Sequence, residues 1–281
     1  EENPSIKHLM EAIYDHDYLG DTIITGEQAL SVCERNTLVV IVDTHRPSMT
    51  IEPRLLDKST RVVVIDHHRR SEEFVEDPVL VYMEPYASST CELVTELLEY
   101  QTDHLSMDQL EATALLAGIV VDTKSFISRT GSRTFEAASF LRRHGANMGL
   151  VQTLLKEDLD MFVKRAEIMR HTETVFDNIA IAVAEEEQTY DQLLIAQTAD
   201  ELLNMTGIEA SFVIARRQDD VISISARSLG NMNVQVIMEQ LGGGGHMTNA
   251  ATQMVGATLD EAKQQLLDVL ESTEEKGETE E

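Results

Sequence analysis

The chain has 281 residues, 42% hydrophobic and 26% charged, a globular balance with enough length for one large domain or two ordinary ones. Its net charge of −28 argues against broad binding to a nucleic-acid backbone, yet leaves room for a small anionic substrate if bound divalent metals supply local positive charge. No run approaches the roughly 18 apolar residues of a membrane span, and no signal peptide opens the chain. Cys33 and Cys91, the only cysteines, lack a zinc spacing and read as reduced thiols of a cytoplasmic protein.

In chain order, residues 27–36 predict a helix before an apolar run, 38–42, that reads as a buried strand ending in Asp43. Residues 54–58 fall in a short crossover. A second buried strand, 62–65, delivers Asp66, His67 and His68, and 79–83 predicts a third strand. Ser88, Ser89 and Thr90 can cap a helix that runs through Leu93, Leu97 and Leu98. Residues 108–116 predict a helix. The apolar stretch 115–121 ends in Asp122, in a position taken as comparable to the two strand ends. Residues 133–144 predict a helix closed by Gly145. Alternating units of this kind imply a mostly parallel sheet with helices on its faces.

Near Met148 the pattern changes. Residues 151–171 carry apolar side chains at helical spacing and predict one long connecting helix. Strands follow over 174–184, 210–215 and 221–226, the last two joined by a polar turn at 217–220. A helix over 233–240 leads into four glycines, Gly242 to Gly245, and His246. The final helix covers about 259–270, and the acidic residues 271–281 read as a disordered tail. The fold class is α/β: a parallel-sheet domain joined by a helical linker to a smaller α/β domain.

Asp43, Asp66, His67, His68 and Asp122 mix carboxylate oxygen with imidazole, a donor set that suits Mn²⁺, with Mg²⁺ or Zn²⁺ as lesser options. A carboxylate can bridge two ions about 3.5–4 Å apart, the spacing of two-metal phosphoryl hydrolases. The bland alternative for 66–68 is a polar strand-end turn. His45, just past Asp43, is a ligand, a supporting donor or, more often at such a place, an ordinary loop residue. Gly242 to Gly245 allow close backbone approach and a nest of amides for an anion, with His246 as a further donor; the alternative is a flexible turn ending a helix. Arg227, at the end of a strand, is a ligand-binding candidate or a solvated surface residue.

Residues 42–45, 65–68, 87–92, 117–123 and 242–246, in that order, resemble the motifs of the DHH–DHHA1 phosphoesterases, and the resemblance covers nearly the whole chain before the tail. Residues 67–70, 122–126, 129–135 and 246–253 are most similar to the GdpP-type cyclic-di-AMP phosphodiesterases within that family. The resemblance implies a DHH domain over 1–148, a linker helix over 149–173, a DHHA1 domain over 174–270 and the tail over 271–281. It implies two Mn²⁺ ions, with Mg²⁺ as an option, and hydrolysis of cyclic di-AMP to linear pApA. Asp43 would bridge both metals, and His67 and Asp122 would hold one of them. Asp66 and His68 would support the ligands or position substrate, catalytic roles alongside Asp43. Arg227, Gly242, Gly243, Gly244, Gly245 and His246 would bind the nucleotide.

The family's first motif, of the form His-x-x-x-Asp-x-Asp, has no match here. The resemblance therefore places it upstream of Glu1, in a parent protein that is membrane-anchored and dimeric, and implies that this stretch alone is weak or inactive. Long nucleic acid and direct membrane contact are not expected of this region. The alternatives are an oligoribonuclease or 3′,5′-bisphosphate nucleotidase of the same superfamily, and a non-catalytic cyclic-dinucleotide receptor. A RecJ-like exonuclease fits a small acidic chain less well.

Overall fold

The computed structural model describes residues 6–101 and 106–278. The chain divides into two compact units, Glu1–Lys156 and Glu157–Glu281. Among the described residues no helix is long and apolar enough to cross a membrane.

The first unit opens with three short helices, α1 (Lys7–Tyr14), α2 (Leu19–Thr22) and α3 (Gly26–Val32). The helix expected over 27–36 is thus shorter. Thr25 and Gln28 start α3 with a reciprocal capping box, and the chain turns extended at Cys33. Strands β1 (Leu38–Val42), β2 (Arg61–Asp66) and β3 (Leu80–Met83) form an all-parallel sheet in that order, with α4 (Arg54–Lys58) between the first two. Their β-branched side chains alternate between two cores. Ile41, Val62 and Val64 pack with Val75 on one face, and Ile65 packs with Ala87 and Leu93 on the other. β1 is an edge strand, and Leu38, Val40 and Val42 along it stand about half exposed.

Helices α5 (Thr90–Glu99), α6 (Gln109–Asp122), α7 (Ser132–Arg143) and α8 (Met148–Leu154) complete the unit. Leu116, Ile119, Phe140, Leu141 and Val151 form the core that α6, α7 and α8 share. Here the structure corrects the sequence reading. The apolar stretch before Asp122 is the second half of a helix. A short apolar run cannot be told from a buried helix by periodicity alone. The Asp108–Glu111 capping box nucleates α6, which then continues through Gly118 to Asp122.

The expected long connecting helix is two. α8 stops at Leu154, and α9 (Leu159–Arg170) restarts where the Asp158 carboxylate accepts the Asp160 amide. The second unit holds a six-stranded sheet of β4 (Thr172–Val175), β5 (Ile179–Val183), β6 (Ala210–Arg216), β7 (Ile222–Ser228), β8 (Gly244–Gly245) and β9 (Asn249–Met254), ordered β4-β5-β6-β7-β9-β8. Among the described residues of this unit, β5 and β6 are the one pair of strands in parallel, across α10 (Gln192–Leu202). The hairpin expected at 217–220 joins β6 to β7. α11 (Val234–Gln240) and α12 (Leu259–Glu278) cover one face around Phe212, Ile214 and Ile224. α9 and α10 cover the other around Val213 and Ile195.

The acidic tail read as disordered is helical as far as Glu278, and residues 279–281 lie outside the described residues. Extending a nucleated helix adds one backbone bond per residue fixed, so Glu- and Lys-rich sequence can continue α12 without apolar contacts.

Candidate metal centre

The site forms at the carboxyl edge of β1 and β2, where open parallel sheets place ligand-binding groups. Asp43 follows β1 directly. Its amide extends the ladder to the Ile65 carbonyl at 3.0 Å, and its backbone sits in the left-handed region, φ 65°. A non-glycine residue there carries a cost of order 1 kcal/mol, and the twist aims the carboxylate off the strand. The Thr90 hydroxyl, at the start of α5, donates to Asp43 Oδ1 at 2.8 Å. One ligand atom each from Asp43, His67 and His68 lies within 4.8 Å of the others. His67 Nε2 is 3.6 Å from Asp43 Oδ1 and 4.0 Å from Asp122 Oδ2. His67 is buried, and its Nδ1 faces the Ala87 carbonyl at 3.5 Å, which directs Nε2 into the cluster.

Asp66 ends β2 with no exposed surface. It does not enter the cluster; it organises it. His45 Nδ1 lies 2.6 Å from Asp66 Oδ2, and His68 approaches Oδ1 with its amide at 3.0 Å and its Nδ1 at 2.7 Å. The Ser71 amide donates to His45 Nε2 at 2.9 Å, which assigns the His45 proton to Nδ1. His45 also stacks on Phe74 with ring centroids 5.3 Å apart. With both nitrogens engaged it serves as a support for Asp66, one of the roles open from sequence. Burial pushes the Asp66 carboxyl up, but the bonds from His45 and His68 outweigh it and hold it below the usual range. By the same geometry His68 spends Nδ1 on Asp66 and keeps Nε2 for a ligand.

Asp122 reaches the cluster from the end of α6. Burial pushes its carboxyl up and Asp43 adds to this, against His67, His68 and Arg129. A carboxylate in that position is what a divalent cation would relieve. Two carboxylates and two imidazoles form a mixed oxygen–nitrogen donor set that fits such a cation. They suffice for one ion and fall short of two octahedral shells. Arg129, in the loop after Asp122, is exposed, with φ 52°, and has no hydrogen bond or ion pair among the described residues. Sequence reasoning gave neither Thr90 nor Arg129 a part here. Both lie in stretches that carry the family resemblance, 87–92 and 129–135, but no role was read for either.

The second unit holds the other candidates. Arg227 is not a solvated surface residue. It is held by Asp200 at 3.2 Å, by Ser225 and by the Ala226 carbonyl at 2.9 Å. The four glycines do not form a nest of free amides. Gly242 and Gly243 donate to the Glu239 and Met238 carbonyls to close α11, and the His246 amide donates to Asn249. The cluster owes its composition partly to packing. A Cβ on Gly243 would lie 2.2 Å from the Ala251 oxygen, and one on Gly245 2.5 Å from Ala250 Cα, whereas Gly244 faces open space. His246 is exposed.

The family model described as "DHH family, N-terminal domain" matches residues 2–119, and the DHHA1 domain matches residues 177–276. The chain is 56% identical over 275 residues to the cyclic-di-AMP phosphodiesterase GdpP of Bacillus subtilis, covering 97% of this chain and 42% of that protein. It is 54% identical over 277 residues to the cyclic-di-AMP phosphodiesterase PdeA of Listeria monocytogenes, covering 99% of this chain and 42% of that one. The chain thus spans about two fifths of the length of these curated relatives. An exopolyphosphatase-related protein from Bacteroides fragilis shares the fold, with a TM-score of 0.75 at 19% identity over 88% of this chain and 74% of that one.

Proposed function

Because the chain belongs to the DHH family and carries its DHHA1 domain, we propose that it is the catalytic region of a Mn²⁺-dependent phosphodiesterase that hydrolyses cyclic di-AMP to linear pApA. The observation that carries this reading is the convergence of Asp43, His67 and His68 within 4.8 Å, with Asp122 beside them. A divalent cation bound there would neutralise phosphoryl charge and acidify water near neutral pH. The chain's own residues supply the rest. Asp43 and Asp122 bring negative charge from two different elements, His67 presents Nε2 to both, and the His68 imidazole lies beside them. Asp66 keeps His68 in that orientation, and His45 locks Asp66.

The donor count leaves a second ion short of ligands. The half-exposed Val40 and Val42 on the β1 edge mark where one more strand could pair and cover them. On this reading that strand brings the His-x-x-x-Asp-x-Asp carboxylates. In the second unit, Gly244 offers a backbone surface with open space, and His246 an exposed donor, for the nucleotide.

The test is turnover of cyclic di-AMP, pApA and a short RNA by the full-length protein with Mn²⁺. Cyclic di-AMP is the preferred substrate, pApA accumulates, and Asp43→Ala abolishes the reaction. Activity unchanged by Asp43→Ala, or faster turnover of RNA, would overturn the proposal.

A further inference from the structure

Asp43 is an unusual ligand candidate. Its backbone is in the left-handed region, and its side chain is 60% exposed. An exposed carboxylate on a strand end samples several rotamers unless something fixes it. The one side-chain hydrogen bond that the described residues give it is from Thr90 Oγ1 to Oδ1, across 47 positions of sequence.

Thr90 is well built for that task. It is 5% exposed and is the first residue of the ten-residue helix α5, whose cap is the neighbouring Ser89. Its β-branch restricts its own rotamers. The segment before it is fixed in turn: the Ala87 amide donates to Glu84, the Ser88 hydroxyl to the buried Glu92 carboxylate, and the Ser89 hydroxyl accepts the Glu92 amide. The Ala87 carbonyl from this same segment faces His67 Nδ1. One rigid turn therefore touches two members of the cluster, which come from the ends of two different strands. The bond uses one lone pair of Oδ1 and leaves the other, and both on Oδ2, for a ligand.

We propose that Thr90 is a positioning residue, whose hydroxyl aims the Asp43 carboxylate into the cluster and thereby sets how tightly the site holds a divalent cation. This rests on the reading that the cluster binds such a cation. The hydroxyl, not the bulk of the side chain, carries the effect. Groups of this kind behind a ligand are worth about 10- to 100-fold in metal affinity.

The test is titration of Mn²⁺ into the metal-stripped full-length protein, followed by calorimetry without substrate. Thr90→Val keeps the shape and removes the donor, and Thr90→Ala removes both. Both should weaken binding about 10- to 100-fold, while Thr90→Ser stays within about threefold of the unsubstituted protein. Melting of the metal-free proteins checks that each variant folds, and the pair of donor-free variants keeps the comparison open if one does not. Binding by Thr90→Val or Thr90→Ala as tight as that of the unsubstituted protein would overturn the proposal. So would binding by Thr90→Ser as weak as in the donor-free variants. Asp43→Asn is the separate control: if it binds Mn²⁺ undiminished, the cation reading itself fails and this proposal falls with it.

Discussion

Asp66→Asn is the sharpest perturbation of the site's framework. The carboxylate is fully buried and accepts from His45 on one oxygen and from two His68 donors on the other. An asparagine can keep only one of these sides. With its oxygen toward His68, its amide faces the His45 Nδ1–H, donor against donor. With the amide reversed, it faces two donors. His45 cannot easily move its proton, because the Ser71 amide already donates to Nε2 at 2.9 Å. The loss is one charge-assisted hydrogen bond and the burial of an unmatched donor, together about 4 kcal/mol. For a unit of this size that is a fall in Tm of roughly 8–16 °C. Urea unfolding followed by circular dichroism measures it. His45→Ala should cost much less in the Asp66→Asn background than alone, since the two share one interaction. A destabilisation by Asp66→Asn below about 1 kcal/mol, or full additivity with His45→Ala, would refute the reasoning.

Three further outcomes follow from other parts of the structure. Arg133 holds the Glu96 carboxyl below its usual range, against burial and with help from the Tyr82 hydroxyl. Glu96 is therefore stabilising above its unfolded value and loses that contribution as pH falls below about 4.5 toward the folded value. Glu96→Gln should cost about 1 kcal/mol at neutral pH, a gap that closes on acidification; a pH-independent gap in unfolding midpoints would contradict this. In the glycine cluster, Gly243→Ala should lower the second unit's stability by more than about 2 kcal/mol, against less than about 0.5 for Gly244→Ala. Equal thermal midpoints would show that β9 gives way. Burial, with Asp122 and Asp43, pushes the Cys91 thiol up to about 12. In Cys33→Ser, a thiol reagent at mildly alkaline pH should leave Cys91 unmodified until urea is added, and labelling of the folded protein at the unfolded rate would count against that.

What the sequence made legible was whatever depends on apolar runs and their endings. β1 and β2 read as buried strands and β3 as a further strand, although β1 stands half exposed at the sheet edge, and the ends of β1 and β2 located Asp43, Asp66 and His67 on one edge. Asp122 was grouped with them as a third strand end, whereas it ends a helix, 4.0 Å from His67, and an apolar run of that length does not distinguish the two. β9 escaped because Asn249, Ala250, Ala251 and Gln253 carry little strand propensity. That strand exists through pairing with β7 across six residues, a non-local fact. The roles of Thr90 and Ser71 escaped for a related reason. Each meets one residue far away in the chain, Thr90 meeting Asp43 and Ser71 meeting His45, which leaves no periodic trace.

The chain's acidity and a phosphodiester substrate look incompatible until distance is considered. At physiological ionic strength charges are screened over about 8 Å, so most of the 50 carboxylates do not act on a ligand in the cluster. The groups in or against the cluster include Asp43, Asp122, the two imidazoles, Asp66 behind His68, and Arg129, whose charge acts on Asp122. A divalent cation would offset the Asp43 and Asp122 carboxylates, while Asp66 shares its charge with the hydrogen bonds from His45 and His68. The acidic remainder then becomes a filter. A long nucleic acid would have to lie across a repelling surface well beyond the site, whereas a cyclic dinucleotide would keep its two phosphates near the cations. On the proposed reading, net charge therefore selects for substrate size, and a cation held by the few residues around Asp43 would set the sign of the field that the reacting phosphate meets.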